Sequence, residues 1–134
     1  MPAPEYGRSM PPASLNLLVR DTHAAAAFHR DVLGAEQIYA DEDFAVLRLG
    51  GLEYMLHADH TYETHAWHTS LTSGERRGLG AEIRLLGIDP DVVAARAEAA
   101  AARLLQPPET KPHGWREATV EDLDGYAWAV GVPA

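Results

Sequence analysis

Apolar and polar residues along the first half of the chain follow a pattern that predicts one strand, one helix and three further strands. Residues 14–19 form a short apolar run, and Asp21 follows it as a candidate helix cap. Apolar positions then recur at helical spacing over residues 22–33, and Gly34 is expected to end that helix. Three strand-like runs complete the unit, with two glycines at 50 and 51 as the turn between the last two: residues 37–40, 44–49 and 52–58.

The same order of elements recurs in the second half of the chain, after a glycine-rich segment at residues 74–80. Residues 81–88 are typical of a strand, and Asp89 followed by Pro90 favours a helix that extends to about Arg103. The remaining runs predict three strands, the first of them short: residues 103–106, 115–120 and 126–132. Asp21 and Asp89 lie 68 positions apart, and this recurrence predicts two similar βαβββ modules packed around a shared cavity.

The length of the chain, 134 residues, suits a single domain. We expect this domain to cover residues 13–134, with one module at about 13–73 and the other at about 79–134. Residues 1–12 carry four prolines and no periodicity, which predicts a flexible leader.

Composition narrows the classes of function. Apolar residues make up 46% of the chain and charged residues 23%, which is typical of a globular protein. The net charge of −9 repels phosphate backbones, so we expect no nucleic-acid partner. The absence of cysteine excludes disulfides, thiolate zinc sites and a cysteine nucleophile. No apolar run is long enough for a membrane span, so we expect a soluble, cytoplasmic protein without a membrane partner.

The turn at residues 50 and 51 fixes which side chains share a face of the first module. Pairing across this turn places Phe44, Met55 and His57 on one face of the sheet, which we predict to line a cavity. The matching face of the second module carries Trp115 and Glu117 beside a last strand with small side chains. Aromatic rings above small residues favour a site for a flat aromatic ligand.

Each of these side chains also has a structural interpretation. His57 either contacts a ligand or makes a structural hydrogen bond, and Phe44 and Trp115 could be core. Glu117 needs a partner, for which the sequence offers Arg84 or Arg116. Adjacent arginines at 76 and 77 are expected to be solvated in the linker. Four histidines lie within twelve residues and invite a metal site, but solvated loop histidines are more common: His57, His60, His65 and His68.

Several short motifs resemble a known family. The first module contains Val19-Arg20-Asp21, then Phe28-His29 and Val32-Leu33-Gly34. The second contains Gly114-Trp115-Arg116-Glu117 and then Glu121-Asp122-Leu123-Asp124-Gly125-Tyr126. Together they resemble the vicinal-oxygen-chelate superfamily, which comprises glyoxalases, bleomycin-resistance proteins and extradiol dioxygenases. The resemblance implies an α+β fold in which two βαβββ modules form one domain, and a homodimer.

The metalloenzymes of that family hold a divalent cation with side chains from the first, fourth, fifth and eighth strands. The corresponding positions here are Ser14, Met55 and Ala129, none of which is a ligand of the required kind. The fifth-strand position falls on Ile83, or on Glu82 if the strand carries a bulge. We therefore expect no metal and no cofactor.

The resemblance is closest in character to the bleomycin-resistance branch, which implies a metal-free binding protein rather than an enzyme. We expect a homodimer that sequesters an aromatic, DNA-directed antibiotic or related natural product in a self-resistance role. The predicted ligand-binding residues are Asn16, Phe44, Met55, His57, Trp67, Trp115 and Glu117. One alternative is a metal-dependent lyase, isomerase or dioxygenase that uses His57, Glu82 and Glu117. Another is a metal-free biosynthetic enzyme with His57 or Glu117 as a general base.

Overall fold

The structure, a computed structural model, describes residues 3–134. Four strands form a first sheet: β1 (Leu15–Val19), β2 (Glu36–Ala40), β3 (Phe44–Leu49) and β4 (Leu52–Ala58). Their order across the sheet is β1-β4-β3-β2, with β1 parallel to β4 and the other neighbours antiparallel. The strands β3 and β4 have the predicted bounds, because the two-glycine turn fixes their register.

Four strands also form the second sheet: β5 (Glu82–Leu86), β6 (Leu104–Thr110), β7 (Trp115–Glu121) and β8 (Ala127–Pro133). Their order is β5-β8-β7-β6, with β5 parallel to β8, so the second sheet repeats the topology of the first. This arrangement confirms the predicted α+β class and the two βαβββ modules. The strand β6 is longer than predicted because Pro107 and Pro108 lie in an edge strand, where a missing backbone N–H breaks no central ladder.

Four helices accompany the sheets: α1 (Ala3–Ser9), α2 (Thr22–Phe28), α3 (His68–Leu71) and α4 (Pro90–Ala99). The Asp21 side chain caps α2 by accepting from the backbone N–H of Ala24 at 2.9 Å. The chain continues from α2 as a π-helical turn, His29–Leu33, which ends at Gly34 with a φ of 82°. The α4 helix ends earlier than predicted. None of the helices in the described part of the chain is long and apolar enough to cross a membrane.

The two modules share one hydrophobic core. The fully buried Trp128 ring of β8 contacts the Tyr54 ring of β4 and the His29 ring, with centroid separations of 5.1 and 4.9 Å. The helices α2 and α4 pack on the same side of the sheets as this cluster. The two modules of one chain therefore pack together through a shared hydrophobic core. The sequence had predicted that they pack around a shared cavity.

A buried arginine also joins the two modules. Arg77 is only 8% exposed, and its guanidinium donates to both carboxylate oxygens of Asp59, at 2.7 and 2.6 Å. It also donates to the backbone carbonyl of Leu18 in β1, at 3.0 Å. The expectation that Arg77 is solvated is wrong, because the linker passes over the junction where Asp59 and Asp124 present negative charge. Its neighbour Arg76 is more exposed and pairs with Glu121 at 3.1 Å.

The beginning of the chain differs from the expected leader. Residues 3–9 form α1, and the Tyr6 side chain of this helix is only 9% exposed. The Tyr6 hydroxyl donates to Glu53 of β4 at 3.0 Å. The expectation of a flexible leader is therefore wrong for residues 3–9, and residues 1–2 lie outside the described part of the chain. The physical reason is the burial of one aromatic ring against the first sheet, which the proline-rich composition does not reveal.

Candidate functional site

Residues predicted for the site occupy the face of the first sheet that points away from α2. Phe44 pairs with His57 across β3 and β4, and Asn16 pairs with Met55 across β1 and β4. Neighbouring pairs of this kind put all four side chains on one face. We call this surface the Phe44 face, defined by Asn16, Phe44, Met55 and His57.

A chain of hydrogen bonds crosses the Phe44 face. Oδ1 of Asn16 lies 2.6 Å from Nδ1 of His57, and Nδ2 of Asn16 donates to the Tyr62 hydroxyl at 2.8 Å. Burial lowers the pKa of His57, and the more distant charge of Asp41 opposes that shift only in part. The His57 ring is therefore neutral near neutral pH, and Asn16 holds its orientation. Tyr62 was not anticipated, since it lies outside the strands in a 3-10 turn, Asp59–Tyr62.

Aromatic rings form a continuous wall along this face. Phe44 stacks on His57 with a centroid separation of 5.7 Å and an angle of 17°, and Tyr39 lies 5.1 Å from Phe44 on the other side. Tyr62 contacts His57 edge-on and stacks on Trp67 at 6.5 Å with an angle of 12°. Trp67 is 56% exposed, so the wall ends in an open aromatic surface. The structure thus places five of the aromatic side chains of the first module beside one another.

Two clefts open on the Phe44 face, and Tyr6 lies between them. The larger has a volume of about 170 Å³ and is lined by Tyr6, Gly7, Met10, Phe44, Met55 and His57. The smaller has a volume of about 60 Å³ and is lined by Tyr6, Ile38, Tyr39, Phe44 and Val46. Burial and the bond to Glu53 raise the pKa of Tyr6 to about 12, so its hydroxyl stays protonated as a donor. The Tyr6 ring of α1 is thus shared by the walls of both clefts.

The remaining predicted residues lie on the second sheet. Trp115 and Glu117 share the outer face of β7, which we call the Trp115 face, with Arg84 of β5 and Ala129 of β8. Arg84 donates to Glu117 at 2.7 Å and lies 5.4 Å from the centre of the Trp115 ring. Of the two predicted partners of Glu117, the structure therefore selects Arg84, while Arg116 pairs instead with an aspartate of α4.

Arg84 also determines the charge of this face. Burial raises the pKa of Glu117, but the hydrogen bond and charge of Arg84, with a contribution from His113, lower it overall. The same guanidinium bonds Glu82 at 2.8 Å, so it lies between the two carboxylates. Both clefts of the Phe44 face are lined by residues of the first module and α1. The chain therefore brings Asn16, Phe44, Met55 and His57 together, with Trp67 at the edge, and keeps the Trp115 face separate.

The residues present do not fit the divalent cation of the family's metalloenzymes. The strand β5 pairs with β8 in unbroken register, so Glu82 reaches the outer face without a bulge, and Ile83 packs against the core. Arg84 already forms ion pairs with both Glu82 and Glu117, lies between them and would repel a cation placed there. Within residues 3–134, no three His, Asp or Glu side chains are grouped in a way that could hold a metal ion. His57 lies on the other sheet, so the alternative set of His57, Glu82 and Glu117 is not assembled within the chain.

The four clustered histidines also separate in the structure. His57 faces the cleft, whereas His60 pairs with Asp43 at 2.7 Å. His65 packs on Trp67 with a centroid separation of 4.6 Å, and His68 begins α3. The loop therefore contributes aromatic surface to the edge of the Phe44 face.

Addition of about 1 mM Mn²⁺ or Ni²⁺ is expected to shift the melting temperature by less than about 2 °C, because a site weaker than about 1 mM adds at most about 0.4 kcal/mol by linkage. The measurement is a thermal melt of chelator-treated protein with and without metal. A shift of several degrees that disappears in His57→Ala would contradict the interpretation that the metal site is absent.

Comparisons with known proteins agree with this architecture. A structure described as a glyoxalase/bleomycin resistance protein/dioxygenase family enzyme from Burkholderia phytofirmans PsJN superposes with a TM-score of 0.71 at 21% identity, covering 90% of this chain and 97% of that one. TioX from Micromonospora sp. ML1 superposes with a TM-score of 0.63 at 21% identity, covering 91% and 99%. FosX from Listeria monocytogenes, described as a genomically encoded fosfomycin resistance protein, gives 0.65 at 17% identity, covering 93% and 94%. At these identities the likeness shows the fold alone.

No curated protein matches the chain significantly in sequence. The model of one protein family does match, over residues 12–130, which cover the first module and all but the last residues of the second. The chain belongs to the Glyoxalase/Bleomycin resistance protein/Dioxygenase superfamily.

Proposed function

We propose that the chain is a metal-free binding protein that sequesters an aromatic compound, such as a DNA-directed antibiotic or a related natural product, in a self-resistance role. The observation that carries this proposal is the aromatic wall of the Phe44 face, which borders a cleft and ends in the exposed Trp67 ring. Flat rings aligned beside an apolar cleft are suited to stacking on a planar ligand.

Charge supports a ligand that is planar and cationic. The chain carries a net charge of −9, which produces an attractive potential for cations and a repulsive one for nucleic acid. Aromatic faces also attract cations that lie over them. A resistance function is consistent with the presence of FosX, a resistance protein, among the structural relatives, although that likeness is one of fold alone. The proposal rests on the residues of the Phe44 face.

The test is a fluorescence titration with ethidium, a planar aromatic cation, in the absence of nucleic acid. The chain contains three tryptophans, of which Trp67 lies at the edge of the Phe44 face and Trp128 is buried in the core. We expect saturable quenching that is clearly reduced in Trp67→Phe, since Trp67 is the exposed tryptophan beside the Phe44 face while Trp128 is buried in the core. Quenching that is unchanged in Trp67→Phe, or no saturable quenching at all, would contradict a site on this face.

A metal-free enzyme is a second candidate function, and the neutral, oriented His57 ring favours it. A general base needs an unprotonated nitrogen that can reach the ligand, and the lowered pKa of His57 provides that state near neutral pH. The chemical fate of the ligand distinguishes the two candidate functions: an enzyme converts its ligand, while a binding protein releases it unchanged.

We also propose that the protein is a homodimer whose cavity is lined by both copies. The Phe44 face and the Trp115 face belong to separate sheets that share a core on their other sides. A cavity with both faces as walls therefore requires a second copy. The edge strands β2 and β6 are also better protected when a partner covers them.

Sedimentation at micromolar concentration is expected to give a species of twice the chain mass of 14.6 kDa. Apolar residues exposed on the two sheets, such as Ile38 and Leu86, would be covered in such a dimer. A monomer that persists at this concentration would contradict the two-sided cavity and leave the Phe44 face as a one-sided site.

Substitution of Tyr6 is expected to strengthen ethidium binding. The two clefts beside Tyr6 are smaller than the roughly 300 Å³ that a drug-sized ligand needs, so such a ligand must displace this ring. We expect Tyr6→Ser to raise affinity at least about threefold, or about 0.7 kcal/mol, and Tyr6→Phe to have a smaller effect because it retains the ring. The measurement is the same titration. Weaker binding by Tyr6→Ser would show that Tyr6 is a wall of the site and not its cover.

A further inference from the structure

The tautomer of His57 follows from its neighbours. Asn16 uses its Nδ2 group to donate to the Tyr62 hydroxyl, so its Oδ1 atom faces Nδ1 of His57. An amide oxygen can only accept a hydrogen bond, and Nδ1 must therefore carry the proton. A neutral imidazole has one ring proton, which leaves Nε2 of His57 with a free lone pair.

This lone pair is accessible from the larger cleft. Nε2 of His57 makes no hydrogen bond with any of residues 3–134, and it is not one of the fully buried polar atoms without a partner. The atom is therefore exposed to solvent. The cleft lining contains one other polar side chain, Tyr6, whose hydroxyl already donates to Glu53. The polar side chains of the cleft therefore offer a ligand acceptors and no free donor, and Nε2 of His57 is the acceptor that lies beside the stacked ring of Phe44.

These contacts distinguish between ligands. A ring that stacks on Phe44 beside Met55 and bears an O–H or N–H on its edge can donate to Nε2 of His57. A ring with only acceptors on that edge would place its lone pairs against the lone pair of Nε2. A hydrogen-bonding site rejects a partner that lacks the required group more strongly than an apolar pocket does.

We propose that the Phe44 face selects planar aromatic ligands that carry a hydrogen-bond donor on the ring edge, such as a phenol or a ring N–H, with Nε2 of His57 as the acceptor. The proposal rests on the proposed function and specifies the ligand class of the same site. Asn16 acts here as a positioning residue: it fixes the tautomer of His57 and affects the ligand only through that ring.

The test compares 7-hydroxycoumarin with 7-methoxycoumarin, which differ in whether the ring edge carries a donor. We expect the wild-type chain, near neutral pH, to bind the hydroxyl compound about five- to tenfold more tightly, in the range of one hydrogen bond. In His57→Phe the ring and its stacking on Phe44 are kept but the acceptor is lost. The preference should then disappear, while affinity for the methoxy compound stays within about twofold.

The tautomer is measured independently on the wild-type protein, by the ¹⁵N chemical shifts of the His57 ring, and needs no variant. Protonated Nδ1 and unprotonated Nε2 are expected. A ring protonated at Nε2, equal binding of the two coumarins, or a preference that survives in His57→Phe would each overturn the proposal. If ethidium binds but neither coumarin does, or if the two coumarins bind equally, the selectivity alone is overturned. If neither ethidium nor a coumarin binds, the proposed function fails and the selectivity fails with it.

Discussion

Asp122→Ala is expected to lower the free energy of unfolding by about 3–5 kcal/mol, the range for breaking a buried charged network. One carboxylate oxygen of Asp122 accepts from three successive backbone N–H groups of the turn before β8, those of Asp124, Gly125 and Tyr126, at 3.0 to 3.1 Å. The other accepts from the indole N–H of the fully buried Trp128 at 2.9 Å. Alanine would leave the amides of Asp124 and Tyr126 and the indole N–H without this acceptor, and each such loss costs about 1–3 kcal/mol. The Gly125 amide keeps its second bond, to the backbone carbonyl of Asp122.

Guanidinium unfolding followed by tryptophan emission measures this effect. Asp43→Ala is a matched control, because the Asp43 side chain is well exposed and pairs with His60 at the surface. We expect the control to be far less destabilised than Asp122→Ala. A loss below about 1 kcal/mol in Asp122→Ala would show that water or rearranged neighbours satisfy these donors.

Phe44→Ala is expected to weaken ethidium binding tenfold or more while the fold is retained. Phe44 borders both clefts and lies between Tyr39 and His57 in the aromatic wall. Removal of the ring loses about 1 kcal/mol of stacking and also the apolar area that the ligand would cover. Together these terms exceed the roughly 1.4 kcal/mol that corresponds to tenfold in affinity.

Two further variants separate the contributions at Phe44. Phe44→Leu keeps most of the apolar volume and loses the aromatic ring, so an intermediate loss of affinity is expected. Leu123→Ala removes an exposed apolar side chain from the turn before β8 and should leave binding unchanged. Binding by Phe44→Ala at wild-type affinity, with wild-type thermal stability, would place the ligand elsewhere.

The sequence predicted much of the fold because local signals were strong. The turn at residues 50 and 51 set the register of β3 and β4, and that register placed Phe44, Met55 and His57 on one face. Asp21, Gly34 and Pro90 marked the ends of helices where the structure has them. These features depend on neighbours along the chain, so periodicity and turn chemistry suffice to find them.

The contacts that complete the site join residues far apart in the chain. Tyr6 reaches Glu53, and Asn16 reaches Tyr62, through side chains whose local sequence gives no sign of the partner. Arg77 has a polar linker around it and is nevertheless buried at the junction of the modules. Burial of this kind depends on how the modules dock, which hydrophobic periodicity within each module does not specify.

The Trp115 face shows a related limit of sequence analysis. The sequence placed Trp115 and Glu117 on one face correctly, and it named Arg84 as one possible partner. It did not show that Arg84 lies over the Trp115 ring as well as bonding Glu117. A ligand would have to displace this ion-paired guanidinium to stack on Trp115, whereas at the Phe44 cleft it would have to displace the uncharged ring of Tyr6.

Stacking of a planar aromatic compound on the Phe44 face is tested by an ethidium titration with a charged competitor that has no ring. We expect saturable binding of one ethidium per chain, which a hundredfold excess of tetraethylammonium reduces only slightly because that cation cannot stack on Phe44. Absence of saturable binding would show that the chain does not bind a planar aromatic compound in this way. Complete displacement of ethidium by tetraethylammonium would show that only attraction to the acidic surface holds the cation.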